Sequence, residues 1–390
     1  MQSPDYSIEV CTDLADLGLA EWNDLLAQQT QPTPFMRAEF LQALFLSGSA
    51  DARSGWQPCF LLLRQAGQLV AAAPVWEKRH SWGEYVFDWA WAQAYERHGL
   101  PYYPKLVVAV PFTPVRGTRL MARDEPSRRA LLAALAALGK ARQASGTHLL
   151  FGAPDDVDAA TGAGWSRREG VQFHWQADPA QPWASWPEYL ASLKREKRKK
   201  IQQEQRRVSA QGVHFELLEG SAIQDADWQF FHACYTRTYL AHGQQPYLHE
   251  AFFQAVGQAL PAHWLMVVAV QNGERVAAAL LAIDRAQGLA WGRHWGALRP
   301  LPCVHFDACY YQPLQWCIAN GIHRFEGGAQ GEHKMARGLL PTPVASAHQV
   351  AHPAFAEAIA RHVAHEGAGM AAYLDELGEH SPFKAAPPTD

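Results

Sequence analysis

Residues 265–295 have the sequence LMVVAVQNGERVAAALLAIDRAQGLAWGRHW, which is the most informative part of the chain for its fold class. Three apolar runs, 265–270, 276–283 and 289–295, are separated by QNGER and DRAQG, which contain turn-forming and charged residues. Short apolar runs between turn signals are typical of buried strands. The stretch therefore predicts a three-stranded meander.

The elements on either side of this meander occur twice in the chain. Before it we predict a strand at 214–218 and helices at 228–240 and 249–260, and after it a helix at 306–320 and a strand at 323–327. The first half predicts the same order: strands at 6–10, 58–63, 69–75, 85–91 and 148–152, and helices at 19–28, 34–46 and 127–143. This order indicates an α+β protein with two domains, 1–178 and 188–390, each with a mixed, mostly antiparallel sheet. It is similar to the acyltransferase fold called GNAT.

The composition agrees with two globular domains. The chain has 390 residues, of which 48% are hydrophobic and 18% are charged. This length exceeds the usual size of one domain, roughly 100 to 200 residues, and leaves enough apolar material for two cores. The composition excludes a disordered chain and a small disulfide-stabilised module.

The densest group of candidate catalytic residues follows the last predicted strand of the second half, at residues 325–334 (FEGGAQGEHK). Its glycines allow the backbone to approach a ligand closely. Glu326 and His333 supply two candidate bases, and Lys334 supplies a cation. The alternative is that these residues have no catalytic role and form a turn whose charged side chains are exposed to solvent.

Such a group suits acyl transfer to an amine. An amine with a pKa near ~10.4 is mostly protonated at neutral pH, so a base must remove its proton before the nitrogen attacks. We expect Glu326 or His333 to take that proton, and Lys334, with Arg337 as the alternative, to stabilise the oxyanion. Other residues of the same half are expected to bind substrate, although an aromatic helix face is as often core: Arg293, Asp307, Tyr310, Tyr311, Gln330 and Arg337.

The segment from Lys194 to Arg207 is strongly basic. It contains eight basic and two acidic residues, a net charge of +6, whereas the whole chain has −4 and the remainder therefore −10. This contrast excludes a uniformly basic nucleic-acid-binding surface. It leaves either a solvated helix or a cationic stripe for an anion such as tRNA, coenzyme A or a lipid-linked pyrophosphate.

Other features of the sequence argue against several classes of protein and of binding site. The first residues do not resemble a secretory signal, and no apolar run approaches the roughly 18 residues that span a bilayer. Six cysteines at irregular spacings indicate reduced thiols, so we expect a cytoplasmic protein without a transmembrane segment. Nine histidines lie between 294 and 380, but without a recognisable ligand pattern, so no metal is expected. A Walker loop and a dinucleotide-binding glycine motif are also missing from the sequence.

Longer motifs resemble one family, the FemAB-like N-acyltransferases of the peptidoglycan-biosynthesis type. The resemblance spans nearly the whole chain and rests on residues 78–89 (KRHSWGEYVFDW), 102–106, 111–115, 197–201, 242–248, 292–296, 305–312 and 325–334. It implies tandem GNAT-like domains with a cleft between them. It also implies a relation to Fem transferases, which move amino acids from aminoacyl-tRNA to a peptidoglycan precursor.

Two departures leave the donor open between acyl-coenzyme A and aminoacyl-tRNA. The long helical arm of Fem enzymes has no counterpart here, and residues 297–304 lack the phosphate loop of ordinary GNAT enzymes. The acceptor is expected to be a small-molecule or peptide amine, with tRNA or a lipid-linked precursor as a partner of the basic segment. In the first half, Asp88, Tyr102 and Lys105 are expected to line the acceptor cleft, or else a domain interface.

Two other functions compete with an acyltransferase. A hydrolase using His333 is one, but the sequence has no nucleophile elbow of the G-x-S-x-G type. The other is a non-catalytic ligand-binding or RNA-binding module on a degenerate acyltransferase fold.

Overall fold

The computed structural model describes residues 5–328 and 331–384. Its strands are β1 Ser7–Cys11, β2 Trp56–Pro58, β3 Phe60–Gln65, β4 Gln68–Ala73, β5 Val75–Lys78, β6 Lys105–Val108, β7 Met121–Ala122, β8 Gly146–Leu149, β9 Ser166–Gln176, β10 Val213–Glu219, β11 Trp264–Gln271, β12 Glu274–Asp284, β13 Leu289–Ala297, β14 Arg324–Glu326 and β15 Leu340–Val350. Its helices are α1 Leu19–Ala27, α2 Ala38–Leu46, α3 Trp89–Arg97, α4 Glu125–Ala141, α5 Pro154–Gly162, α6 Trp186–Ser192, α7 Arg195–Ser209, α8 Asp225–Ala241, α9 Glu250–Ala259, α10 Val304–Phe306, α11 Gln312–Ala319 and α12 Pro353–Glu379.

The chain forms two compact units, each of which contains more than one segment. The first unit consists of residues 1–170, 247–252 and 343–371, and the second of residues 171–246, 253–342 and 372–390. These units differ from the domains predicted at 1–178 and 188–390, because 247–252 and 343–371 pack with the first unit.

The first unit contains two sheets. One has the order β1-β3-β4-β7 and is antiparallel throughout. In the other, β15, β8, β6, β5 and β2 are neighbours, and only the β8–β6 pair is parallel. The apolar face of α4, with Leu131, Leu135 and Leu138, packs in the core beside Leu61 and Leu63 of β3. Asp124 caps α4 by accepting a hydrogen bond from the backbone N–H of Ser127 at 2.8 Å.

The second unit contains a sheet with the order β10-β11-β12-β13-β14-β9, in which only the β13–β14 pair is parallel. The predicted meander corresponds to β11, β12 and β13. Nearly all of β11 and β12 is buried, because helices cover both faces of the sheet. Together the two units confirm the expected α+β class with mixed, mostly antiparallel sheets.

Some predictions of secondary structure were wrong. Residues 85–91, predicted as a strand, form the end of a loop and the start of α3. The acidic side chains of Glu84 and Asp88 turn inward to Lys105, which a regular strand does not allow. The sequence pattern also missed β9, β15 and α12. No helix in the described part of the chain is both long and apolar enough to cross a membrane.

Candidate active site

The site begins where two parallel strands of the second unit part. β13 and β14 pair only from Leu289–Arg324 to Trp291–Glu326, because β14 ends there. β13 continues for six more residues, along which β12 is its neighbour on one side. A cavity of about 150 Å³ lies at this divergence. It is lined by Ala279, Leu280, Leu281, Gly292, Arg293, His294, Trp295, His305, Cys309, Tyr310, Phe325 and Gly327.

A β-bulge shapes the wall formed by β13. Leu280 pairs with His294 and Leu281 pairs with Gly292, so Arg293 is an extra residue without an opposite residue in the ladder. A bulge bends its strand and redirects side chains, and it is common beside active sites. Arg293, one of the predicted substrate-binding residues, therefore lines the cavity.

A helical irregularity forms the opposite wall. Residues Asp307–Tyr311 form a π-helical turn between α10 and α11. Such single turns occur mainly inside α-helices and often at functional sites. This turn brings Cys309 and Tyr310 to the cavity, while Tyr311 is buried and its hydroxyl contacts Glu204.

Tyr310 connects the cavity to the predicted catalytic segment. Its hydroxyl lies 3.4 Å from Nε2 of His333, within reach of a hydrogen bond. Burial raises the pKa of Tyr310, so its hydroxyl keeps its proton at neutral pH. Burial and the charges of Arg337 and Lys334 lower the pKa of His333, which favours a neutral imidazole. The pair thus holds a proton donor and a proton acceptor in contact.

Lys334 is a buried cation next to the same wall. Its Nζ donates a hydrogen bond to the backbone carbonyl of Gly328 at 3.0 Å. A Cβ on Gly327, which lines the cavity, would lie 3.3 Å from Cδ of Lys334. Burial lowers the pKa of this lysine to about 8, so its charge is sensitive to pH near neutrality.

Glu326 lies beside the cavity but faces away from it. Its neighbours Phe325 and Gly327 line the cavity, and successive side chains of a strand point to opposite faces. Its buried carboxylate lies 3.8 Å from Nε2 of His174 and 3.5 Å from Nε of Arg324. Glu326 is therefore separated from Tyr310 and His333 by the strand that carries it.

Three predicted residues lie in a second cluster of the same unit. The Arg337 guanidinium donates to the Glu204 carboxylate at 3.1 and 3.2 Å and lies 3.8 Å above the ring of Phe306. The Tyr311 hydroxyl donates to the same carboxylate. Asp307 accepts a hydrogen bond from Gln312 at 2.9 Å, and burial raises its pKa to about 6. Arg337 also donates to the His333 carbonyl at 2.7 Å, so this cluster holds the backbone of the predicted catalytic segment.

Sequence reasoning missed most of the cavity wall, including Trp295, His305 and Cys309. His305 is the most informative, since burial together with His333, Arg337 and Lys334 lowers its pKa to about 4. It is thus a neutral imidazole at pH 7. All three lie inside motifs that carried the family resemblance, but only the bulge and the π-turn reveal that they face one cavity. Gln330 lies outside the described residues.

The predicted substrate-binding residues of the first unit are buried and contact one another. The Lys105 Nζ donates to the carboxylates of Asp88 and Glu84, the latter at 2.7 Å, and the Tyr102 hydroxyl donates to Asp88 at 2.6 Å. Desolvation would lower the pKa of Lys105, but the two carboxylates raise it above its usual value. A substrate role for Asp88, Tyr102 and Lys105 stays a prediction.

The basic segment forms α7. Ile201, Glu204 and Val208 make its buried face, as the sparse apolar stripe predicted. The opposite face exposes Arg195, Lys199, Lys200, Arg206 and Arg207. Glu204 on the buried face binds Arg337, so the helix that carries the cations also contacts the predicted catalytic segment.

A larger cavity of about 660 Å³ lies next to the first one, with which it shares Trp295 and His305. This volume is in the range of sites for drug-sized ligands. Most of its wall is apolar, and it is built from the end of α8, the end of β13 and residues 299–304. Arg237, His242 and Arg299 add polar and cationic groups to this wall. Within the described residues, no group of three or more His, Cys, Asp or Glu side chains is placed to hold a metal ion.

Comparison with known proteins gives one family and several similar folds. The FemAB-like family model, described as peptidoglycan biosynthesis/recognition, matches residues 13–385. No curated protein sequence matches the chain significantly.

The solved structures with a similar fold include FemX, with a TM-score of 0.54 and 10% identity over 88% of this chain and 98% of that chain. L-PGS from Bacillus licheniformis has a TM-score of 0.53 and 11% identity over 88% and 96% of the two chains. A C-terminal domain from Agrobacterium fabrum, described as part of a lysylphosphatidylglycerol synthetase, has a TM-score of 0.52 and 13% identity over 87% and 94%. At these identities the likeness shows the fold alone.

Proposed function

Because the chain belongs to the FemAB-like family of acyltransferases, we propose that it moves an acyl or aminoacyl group from an activated thioester or ester to an amine. The observation that carries this proposal is the cavity at the divergence of β13 and β14. It is lined by Tyr310, whose hydroxyl contacts His333. A proton donor and a proton acceptor therefore lie together at a partly apolar site.

The reaction can be written with its protons balanced. The amine binds in its neutral form, after its ammonium proton has passed to bulk water. Its nitrogen attacks the donor carbonyl carbon, the new C–N bond forms, and the nitrogen then loses a second proton to His333, directly or through water. The Lys334 ammonium stabilises the oxyanion. The C–S or C–O bond to the carrier then breaks, and Tyr310 protonates the leaving sulfur or oxygen. His333 returns its proton to Tyr310 across the 3.4 Å contact.

Other residues have supporting roles in this scheme. Arg293, which lies on the bulge of β13 and lines the cavity, is proposed to bind a polar group of the substrate. The ion pair of Arg337 with Glu204, together with Tyr311 and Asp307, holds the π-turn and the catalytic segment in place. Glu326, the other base expected from the sequence, has no direct role in this scheme, because its carboxylate faces away from the cavity toward His174 and Arg324.

The donor is proposed to occupy the 660 Å³ cavity, since this cavity adjoins the site at Trp295 and His305. Its wall contains Pro300 and Pro302, which have no backbone N–H to offer a pyrophosphate. The exposed cations of α7 support a polyanionic carrier instead, so we favour aminoacyl-tRNA over acyl-coenzyme A. Acyl-coenzyme A remains the second candidate donor.

The experiment supplies each donor class, acetyl-coenzyme A or an aminoacyl-tRNA mixture, with a panel of amines, and detects acylated amine by mass spectrometry. We expect Tyr310→Phe and His333→Ala each to lower the rate by about 10²–10⁴-fold, the usual contribution of a positioned acid or base. Tyr6→Phe is the matched control, because Tyr6 packs against the core of the first unit, far along the chain from the cavity. Unchanged transfer by both variants would contradict the site.

The same preparation tests the carrier. If tRNA binds α7, its affinity falls with rising salt concentration, because binding releases the counterions of each phosphate that a cation neutralises. Substitution of Lys199, Lys200, Arg206 and Arg207 by glutamine should then reduce the slope of log affinity against log salt by about 0.7 for each phosphate that is no longer neutralised. An unchanged slope would favour acyl-coenzyme A as the donor.

A further inference from the structure

A short segment after α12, residues 381–384, is bound along the connection between α6 and α7. We call this segment the strap. Its backbone pairs with that of residues 192–194 through two N–H···O=C hydrogen bonds of 2.8 and 3.0 Å. These bonds lie on either side of an antiparallel bridge between Leu193 and Phe383. Backbone pairing on both sides of Phe383 fixes the position of its side chain.

The ring of Phe383 belongs to an aromatic cluster of the second unit. It stacks on the ring of Trp183, with centroids 6.1 Å apart, and its centroid lies 6.2 Å from that of Tyr189. Tyr189 is completely buried and packs edge to face on Trp183 at 5.0 Å. Aromatic pairs at such separations contribute more than the burial of their area alone. Phe383 therefore helps to hold the Tyr189 ring in one orientation.

Tyr189 connects this cluster to the 3₁₀ helix Glu332–Arg337, which we call the catalytic turn. Its hydroxyl donates a hydrogen bond to the backbone carbonyl of Arg337 at 2.9 Å. The next residue, Gly338, has φ 86°, and a Cβ there would lie 1.8 Å from the Tyr189 hydroxyl and 3.4 Å from Cζ of Phe383. Only glycine allows both this conformation and this close approach. Tyr189 and Phe383 thus contact the chain where the catalytic turn ends.

The catalytic turn carries His333 and Lys334, to which the proposed reaction assigns proton transfer and oxyanion stabilisation. The turn has six residues, and it ends with hydrogen bonds from the Gly338 N–H to the Met335 carbonyl at 2.9 Å and from the Leu339 N–H to the Lys334 carbonyl at 3.3 Å. A helix this short is not stable through its own hydrogen bonds. Its geometry therefore depends on the side chains packed around it.

We propose that the strap is a positioning element, in which Phe383 acts through Tyr189 to hold the catalytic turn in its reactive geometry. Both cavities are lined by other residues, so Phe383 and Tyr189 are positioning residues and not catalytic ones. The strap, Tyr189 and the catalytic turn all lie in the second unit. The proposal rests on the proposed function for the roles of His333 and Lys334, whereas the hold on the turn can be measured without activity.

Hydrogen exchange of residues 332–339, measured by mass spectrometry on the full chain, reports how firmly the turn is held. Phe383→Ala removes the ring, and Tyr189→Phe removes only the hydroxyl, so the second variant remains informative if the first does not fold. We expect exchange in this segment to become about tenfold faster in both variants. Phe355→Ala is the matched control, because Phe355 is also half-buried and packs on Tyr95, but in the first unit. It should leave exchange of residues 332–339 unchanged.

The ionisation of Lys334 reports whether the strap also controls the reactive side chains. Burial lowers the pKa of Lys334 to about 8, so a loosened turn that admits water should raise this pKa toward its ordinary value. NMR of isotope-labelled lysine side chains follows the titration, which is assigned by its absence in Lys334→Arg. We expect Phe383→Ala to raise the pKa by about one pH unit, and Phe383→Leu, which keeps apolar bulk, by less than about half of that. A strap that contributed only to overall stability would leave this pKa unchanged.

Transfer kinetics give the functional consequence. In Phe383→Ala and Tyr189→Phe, kcat should fall about tenfold while KM changes less than about twofold, because reactive groups are displaced and substrate contacts are kept. Unchanged exchange of residues 332–339 together with an unchanged pKa of Lys334 in both variants would overturn the proposal. If exchange and pKa respond but the wild type transfers no acyl group from either donor, the role of the strap in positioning the turn stands and the proposed function fails.

Discussion

Replacement of Lys105 by methionine is the sharpest test of the buried network in the first unit. Methionine keeps most of the side-chain length and removes the charge. The wild-type ammonium donates to Glu84, Asp88 and Ser81 and is completely buried. After the substitution, two carboxylates remain in a site with little water and without their cation.

The expected loss of stability follows from this geometry. Removing one partner of a buried ion pair costs about 3–5 kcal/mol, mainly because the remaining charge is uncompensated. Burial already raises the pKa of Glu84 to about 7, so Glu84 can take up a proton and limit the loss. Asp88 keeps the hydrogen bond from Tyr102 at 2.6 Å. We therefore expect the free energy of unfolding to fall by about 3 kcal/mol at pH 7, which is the lower end of that range.

The same ion pairs determine whether the stability of the protein rises or falls with pH. In the wild type, Lys105 holds the pKa of Asp88 below its usual value, so this pair contributes stability at neutral pH and loses it only in strong acid. In the variant, burial without the cation raises the pKa of both carboxyls. As the pH falls from 7 to 5, these carboxyls take up protons and lose their charge, which stabilises the variant. The difference in unfolding free energy between the wild type and the variant should therefore become smaller.

The assay combines urea unfolding with hydrogen exchange of residues 79–89. The exchange measurement reports the loop locally, whereas the chain has two units and need not unfold in one step. Adding Glu84→Gln and Asp88→Asn to the variant should restore at least half of the lost stability. Lys140→Met is the control, since Lys140 is exposed on α4, and it should change stability by less than about 0.5 kcal/mol. A loss below about 1 kcal/mol in the Lys105 variant would show that the buried ammonium does not hold this network together.

Two further predictions concern the second unit. If Lys334 stabilises the oxyanion, activity should fall above pH 8, because the pKa of this lysine is lowered to about 8 and only the ammonium can act. Lys334→Arg should move that alkaline limb upward in a profile of kcat/KM against pH, and an identical limb would exclude this role. Gly296→Ala should destabilise the unit by about 1–3 kcal/mol in urea unfolding, since its Cβ would lie 2.1 Å from the backbone of Cys234 on α8. Gly378→Ala, in open space on α12, is the control, and equal stability of the two variants would refute the packing argument.

The sequence predicted the fold best where local pattern and burial agree. The runs at 265–270, 276–283 and 289–295 became β11, β12 and β13, because each run is apolar enough to be covered on both faces. Residues 85–91 failed for the opposite reason. Their aromatic side chains alternate as in a strand, but Lys105, at least fourteen residues further along the chain, draws the neighbouring acids inward. The periodicity of apolar residues in a sequence gives no information about an ion pair between residues far apart in the chain.

The sequence predicted which residues belong to the candidate site better than it predicted how they are arranged. Glu326 is the last residue of β14, and His333 and Lys334 follow this strand, but the side that Glu326 faces depends on the pleat of only three residues. The contact of Tyr310 with His333 depends on a π-turn, and the propensities of residues 307–311 do not reveal one. Arg337 was predicted as a cation for the reaction. Its carboxylate partner Glu204 lies in the basic helix and could not be inferred from a run of positive charge.

Two buried lysines, Lys105 and Lys334, have different surroundings, which favour a structural role for the first and a chemical role for the second. Lys105 faces two carboxylates, and their attraction outweighs desolvation and raises its pKa, so it stays charged at any physiological pH. Lys334 has the Gly328 carbonyl as its hydrogen-bond partner within the described residues, and desolvation lowers its pKa to about 8. An ammonium already neutralised by two anions has little field left for a new negative charge. In the part of the chain that the structure describes, no carboxylate pairs with Lys334, so an oxyanion that forms beside the cavity wall gains more from this ammonium than from a cation that is already paired with a carboxylate.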